Sequence, residues 1–250
     1  MSKIVGRTLD FLELFAEQRR PLSLSEIARL LGIPPSSCHD VLHALEQRGY
    51  VYELGPRGGF YPTQRLFDMA KTISDYDPIV LRADLLMREL RDALGESVLL
   101  AKANGLQATY LLAFEPSNPL RFLVRVGDNV RSLHATSAGK ALLASLPPAE
   151  LDAFFKSTKL VAMTARTLTS EAALRQAIAE GNARGWFVNH EESQEGVTTV
   201  SARFHWSGSV YIVSIAGPTS RVAPKLDAAT GLLTTLCRRL EAAPGTKLDQ

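Results

Sequence analysis

Residues 23–61 constrain the fold of this chain more than any other stretch. SLSEIARLLGI runs into PPSSCHDVLHALEQRGY and then VYELGPRGGFY. Ser23 and Glu26 have capping-box spacing, in which each side chain bonds the other residue's backbone N–H, so a helix starts there. Ile27, Leu30 and Leu31 form its expected buried stripe, and Gly32 permits the left-handed turn that closes it. Pro34 and Pro35 suit the first turn of the next helix, where a missing N–H costs nothing. Cys38, Val41, Leu42 and Leu45 then recur at helical spacing and must face a core. Ser36, Ser37, His39, Asp40 and His43 are left facing away. Gly49 stops the helix, Tyr50–Glu53 alternates into a strand, and a Gly-rich turn leads back through Phe60 and Tyr61. Two helices across a tight turn, followed by a ribbon, make a winged helix-turn-helix.

The outward side of the second of these helices is a candidate recognition surface. Its N-terminal side chains would meet base edges of double-stranded DNA, and Arg57 in the wing would meet phosphate. Winged helical folds also serve as protein-contact modules, and that alternative stays open. Within residues 1–62 seven basic residues face seven acidic ones. DNA affinity must therefore come from placement and from pairing two such units, not from an overall basic field. His39 and His43 have the i, i+4 spacing of a zinc helix, but with Asp40 where a longer acid is needed and no evident third ligand. We expect no metal and no cofactor.

At 250 residues, two domains are expected. A hydrophobic fraction of 46% and a charged fraction of 22% are those of an ordinary soluble protein. No segment approaches the roughly 20 apolar residues of a membrane helix, and the N-terminus lacks the features of a secretory signal. Cys38 and Cys237 lie too far apart in sequence to suggest a disulfide framework, so a cytoplasmic location is expected. Val5, Leu9, Leu12 and Ala16 mark a first helix over about 4–17, and a further helix over about 63–74 precedes a break at Asp75–Pro78.

Beyond the break, helix over 80–94 is followed by strand-like runs at Ser97–Asn104, Ala108–Phe114 and Leu120–Val126. Helices are expected over about 137–146, 148–156 and 170–184. Strands are expected at Trp186–Asn189, Val197–Phe204 and Val210–Ala216, with a hairpin turn at Ser207-Gly208 and a final helix over Leu226–Leu240. Short turns between strands and grouped helices favour an α+β sheet domain. The expected organisation is a winged domain at 1–62, a linker helix at 63–77 and a second domain at 78–245.

His134-Ala-Thr-Ser-Ala-Gly139 brings small residues to a helix start. Thr136 can cap it, and the backbone of Ser137 and Ala138 is then open to a small carboxylate or phosphate. An ordinary helix start is the plain alternative. Ser137 and Lys140 have SxxK spacing, but the supporting SDN and KTG elements are absent. Asn189-His-Glu-Glu192 offers a carboxylate pair for acid–base work, or a solvated loop. Ser214, on an apolar strand, is either a ligand hydroxyl or a satisfied core serine.

Taken in order, four stretches resemble the IclR family of bacterial transcriptional regulators. They are SLSEIARLLGIPPSSCHDVLHALEQRGYV, RSLHATSAGKALLA, RGWFVNHEESQEGV and the strand end SIAGP. The resemblance implies a winged DNA-binding domain, a linker helix that helps dimerise, and a C-terminal effector-binding domain. That domain would be a GAF-like or profilin-like antiparallel sheet flanked by helices. It implies a homodimer or homotetramer on an inverted-repeat operator, repressing or activating genes in response to small organic acids, often aromatic or short-chain. By motif, Ser137 and Ala138 would grip the ligand carboxylate through backbone amides. Asn189, Thr199, Ser214 and Ala216 would match further ligand positions. Glyoxylate-responsive members often have an acid where this chain has Asn189, Cys at Thr199 and Ser at Ala216, so a bulkier acid is expected. Asp40 stands where a basic residue is common, which favours cytosine contact. The rival readings are an enzyme acting on a small carboxylic acid at 134–140, and a ligand-binding module whose winged domain contacts protein.

Overall fold

The computed structural model describes residues 3–55 and 58–242. The chain divides into two compact units, Met1–Asp77 and Pro78–Gln250. Arg57, expected to contact phosphate, and the expected domain end at 245 lie outside the described residues.

The first unit contains α1 (Lys3–Gln18), α2 (Leu24–Leu31), α3 (Pro35–Gln47), β1 (Val51–Glu53), β2 (Phe60–Pro62) and α4 (Arg65–Asp75). The capping box forms: Ser23 Oγ accepts from the Glu26 N–H at 3.3 Å, and the Glu26 carboxylate accepts from the Ser23 N–H at 2.9 Å. Gly32 ends α2 at φ +64°, a left-handed conformation that a side chain resists. β1 and β2 pair antiparallel, and Leu22 extends the ribbon by exchanging backbone hydrogen bonds with Phe60. The core joins Phe11, Leu14, Phe15, Leu22, Ile27 and Leu42.

Two expected stripes are corrected. On α1, Val5 and Leu9 are 57% and 51% exposed, while Phe11, Leu14 and Phe15 are buried. The helix carries two interleaved apolar sets, and the one with the two phenylalanines has more area to remove from water. On α2, Ala28 is buried and Leu30 is exposed, so the buried line runs along the Ile27–Ala28 side. The expected α3 stripe does bury Cys38, Leu42 and Leu45. α4 buries none of its residues and exposes Phe67 and Ile73.

The second unit begins with α5 (Pro78–Leu94), β3 (Ser97–Asn104) and β4 (Gln107–Phe114). It continues through α6 (Ser137–Leu143), α7 (Pro148–Ser157), α8 (Glu171–Arg184), β5 (Phe187–His190), β6 (Val197–Trp206) and β7 (Ser209–Pro218). It ends with α9 (Thr219–Val222) and α10 (Leu226–Ala242). The strands make an antiparallel sheet in the order β4-β3-β7-β6-β5. On one face α5 and α10 pack Met87, Leu90, Leu233 and Leu240 against Val98, Val200, Phe204 and Val213. On the other, Ala138, Ala141 and Leu142 of α6 pack against Ala101, Phe187 and Ile212. This is the α+β architecture expected, a helix-turn-helix followed by an antiparallel sheet flanked by helices.

The strand expected at Leu120–Val126 is absent; the segment is irregular and exposes Leu120, Leu123 and Val126. Pro116 and Pro119 interrupt its approach to the sheet, and a proline cannot donate to a ladder. Side chains fasten it instead. Ser97 Oγ donates to the Phe122 carbonyl at 2.7 Å, and Arg221 donates to the Leu120 carbonyl at 2.8 Å. Among the described residues no helix is long and apolar enough to cross a membrane.

Candidate functional site

The residues expected to face outward from the helix-turn-helix occupy two strips. Ser36, His39 and His43 are exposed along one side of α3, where the two imidazole rings stack 5.9 Å apart and His43 Nε2 bonds Gln47 Nε2 at 2.9 Å. Among the described residues no further ligand joins the histidines into a metal-binding group. Ser37 and Asp40 lie on the other strip. They line a groove of about 600 Å³ shared with Ile4 and Arg7 of α1.

In the second unit the strand register assembles residues far apart in sequence. Asn189 sits opposite Thr199, Thr199 opposite Ala216, and Ser201 opposite Ser214, so all share the sheet face covered by α6. Ser137, the first residue of α6, reaches down onto that face. Its hydroxyl lies 2.6 Å from Thr199 Oγ1 and 2.7 Å from Ser201 Oγ, and Ser201 Oγ lies 2.7 Å from Ser214 Oγ. The result is a closed ladder of buried hydroxyls that satisfy one another, which a buried polar group requires. Ser201 was not among the candidates. Its signal was the strand period of two, which puts residues 199 and 201 on one face.

Thr136 caps α6 as expected, accepting from the Gly139 N–H at 3.1 Å. The ladder holds Ser137 buried, at 1% exposure. Space opens one residue earlier. A cleft of about 630 Å³ reaches Thr136 and is lined by Tyr110, Phe122, Leu123, Met163, Ser193 and Gln194. Burial pushes the Tyr110 hydroxyl up to about 12, so it is a proton donor across the neutral range.

Asn189 shapes the cleft wall from behind. Its Oδ1 accepts from the Glu192 N–H at 2.6 Å, and its Nδ2 donates to Ser193 Oγ at 2.8 Å. The Thr164 and Thr167 hydroxyls donate to the Glu191 and Glu192 carbonyls at 2.7 and 2.6 Å, fastening the loop that carries Met163 to the same turn.

Lys140, read from sequence only in motif tests, is buried with Glu192 and donates to its carboxylate and to the Val188 carbonyl. Burial pushes its ammonium down while Glu192 holds it up. Ser137 and Lys140 thus bond in different directions, and the SxxK spacing builds no nucleophile–base pair. Glu191 bonds elsewhere, held low chiefly by the Thr219 hydroxyl, and among the described residues the buried Glu192 Oε2 has no hydrogen-bond partner.

The family model for the IclR helix-turn-helix domain matches residues 5–55, and that for the bacterial transcriptional regulator IclR C-terminal matches residues 71–240. The chain belongs to the IclR family of bacterial transcriptional regulators. It is similar to the HTH-type transcriptional regulator BhcR of Paracoccus denitrificans, with 30% identity over 250 residues, 99% of this chain and 89% of that one. Its identity to the regulator XynR of Escherichia coli is 29% over 220 residues, 87% of each chain. Its fold matches the crystal structure of an IclR homolog from Microbacterium hydrocarbonoxydans complexed with 4-hydroxybenzoate, with a TM-score of 0.77, 21% identity and coverage of 96% and 98%. As an IclR-family protein the chain is a DNA-binding transcriptional regulator.

Proposed function

We propose that this regulator binds an inverted-repeat operator as a cytoplasmic homodimer or homotetramer, and that a small organic carboxylate in the cleft of the second unit changes its operator affinity. Ser36, Ser37, His39, Asp40 and His43 read base edges, and Arg57 meets phosphate. The effector acid lies above Ser137 and Ala138, with Asn189, Thr199, Ser214 and Ala216 forming the layer behind it. The observation that supports this reading is a cleft that reaches Thr136, the residue before Ser137, beside Ser193, whose hydroxyl Asn189 holds. The structural relative with bound 4-hydroxybenzoate supports an aromatic acid. Control of DNA binding follows if the ligand prefers the protein in one of its two DNA-affinity states.

Operator binding measured with and without aromatic and short-chain acids tests the proposal. Loss or gain of operator affinity with an acid that binds supports it, and an unchanged affinity with every acid that binds overturns it. Blocking the site with a large residue at Ser137 would break the hydroxyl ladder, so Met163→Trp on the cleft wall is the better block. It should abolish the response and leave operator binding in place.

A further inference from the structure

The helix proposed to read DNA carries no permanent cation. α3, PSSCHDVLHALEQ, holds two acids, Asp40 and Glu46, and no lysine or arginine. A duplex presents a dense array of phosphate charge, which repels those two acids as the helix approaches. The groups on α3 able to turn positive are His39 and His43. Histidine is the side chain whose charge changes between pH 5 and pH 8.

Both rings stand in the exposed strip that also holds Ser36. They stack with centroids 5.9 Å apart and planes 17° apart, so they share one spot on the helix surface. Two positively charged rings this close repel each other, which favours one proton per pair. Each ring has a neighbour suited to a charge. Asp40 Oδ1 lies 3.8 Å from His39 Nδ1, and the two side chains are 67% and 84% exposed. Gln47 Nε2 lies 2.9 Å from His43 Nε2. An amide donates to a neutral ring through its nitrogen and, turned over, accepts from a protonated ring through its oxygen.

The surrounding elements add no competing partner. The charged residues on the elements packed against α3 are Glu26 and Arg29 of α2 and Glu53 of β1. Glu26 is engaged by Ser23 and Arg20. Arg7 of α1 and Arg48, just past the end of α3, line the groove on the Asp40 side. Among the described residues Asp40 is the one carboxylate within ion-pair distance of either imidazole.

Resting on the reading that α3 enters the DNA groove, we infer that operator binding by this chain is coupled to protonation of the His39–His43 pair. The negative duplex stabilises the charged form, so the bound protein holds more protons than the free one. Affinity then rises as the pH falls from 8 to 6 and declines as it rises.

Fluorescence anisotropy of the full chain tests this at pH 6, 7 and 8. The probes are a duplex that the chain selects from a random-sequence pool, with selections at pH 6 and pH 8, and a scrambled duplex of the same composition. The parent should bind the selected duplex at least about tenfold more tightly at pH 6 than at pH 8, the scale of one hydrogen bond to a charged group. The slope of log affinity against log salt should be steeper at pH 6, by about one for each added cation. In the His39→Gln/His43→Gln double variant both differences should vanish, with a melting temperature matching the parent, since both positions are exposed. His134, His190 and His205 remain in that variant and serve as its internal control. His39→Gln/His43→Lys fixes one cation on the helix. It should bind at pH 8 about as tightly as the parent does at pH 6, with no pH dependence.

Equal parent affinity at pH 6 and pH 8 overturns the inference. So does a pH dependence that survives in either variant. Either result, with the selected duplex still preferred over the scrambled one, sinks the proton coupling and spares the DNA-reading role of α3. If the chain selects no duplex at either pH, that role falls and the inference with it.

Discussion

At the scale of single residues, the first unit depends on a cap and the second on a buried ion pair. The backbone N–H and hydroxyl of Ser23, and then Arg20, hold the Glu26 carboxyl down to about 2 from an ordinary 4.5. A proton therefore binds the unfolded chain more readily than the folded one. The cap's contribution is complete above about pH 4.5 and is lost as the pH falls through about 2. Glu26→Gln should remove that part of the acid sensitivity, read as a smaller drop in melting temperature between pH 5 and pH 3. Arg221 grips the buried Glu96 carboxylate with two hydrogen bonds, at 2.5 and 2.7 Å. Arg221→Ala strands that charge and should cost about 3–5 kcal/mol in denaturant unfolding, since removing one partner of a buried pair leaves the other uncompensated. The capping box was legible because it is local, with donor and acceptor three residues apart. The Arg221–Glu96 pair was not, because nothing in a sequence says that residues 125 positions apart will meet.

At the scale of elements, α6 is placed by a glycine. A Cβ on Gly139 would sit 2.2 Å from the Leu133 carbonyl oxygen, against backbone that cannot swing aside as a side chain can. Gly139→Ala should therefore destabilise the second unit by about 1–3 kcal/mol, the usual cost of overpacking. It should also weaken the proposed effector binding, because lifting α6 moves the Thr136 edge of the cleft. Thermal unfolding and calorimetry check the two effects separately. The helix and strand pattern here was largely readable, since period 3.6 and period 2 follow from backbone geometry alone. What misled was choice among equals. The α1 helix has apolar residues on more than one side, and only packing reveals that Phe11 and Phe15 win over Val5 and Leu9. The Leu120–Val126 run has strand composition but no strand beside it, because edge prolines and side-chain ties take its place.

At the scale of the whole molecule, two compact units in one chain let operator binding and the proposed effector binding be probed separately. Arg57→Ala should weaken binding to every sequence alike and flatten its salt dependence, whereas His39→Ala should change which operator is preferred. Fluorescence anisotropy on operator and scrambled duplexes at two salt concentrations distinguishes them. A loss confined to one sequence in the Arg57 variant would contradict its assignment to phosphate.

The sequence by itself determined the helix-turn-helix, the order of nearly all elements and the family, because caps, turns and periodicity act over a few residues. It also named Ser137, Asn189, Thr199, Ser214 and Ala216 through motif likeness. Only the tertiary structure decided that these residues line up across neighbouring strands, that Ser201 joins them, and that their hydroxyls close on one another. The open volume reaches Thr136, one residue before Ser137. Register and burial belong to contacts between distant segments, and those exist only once the chain has folded.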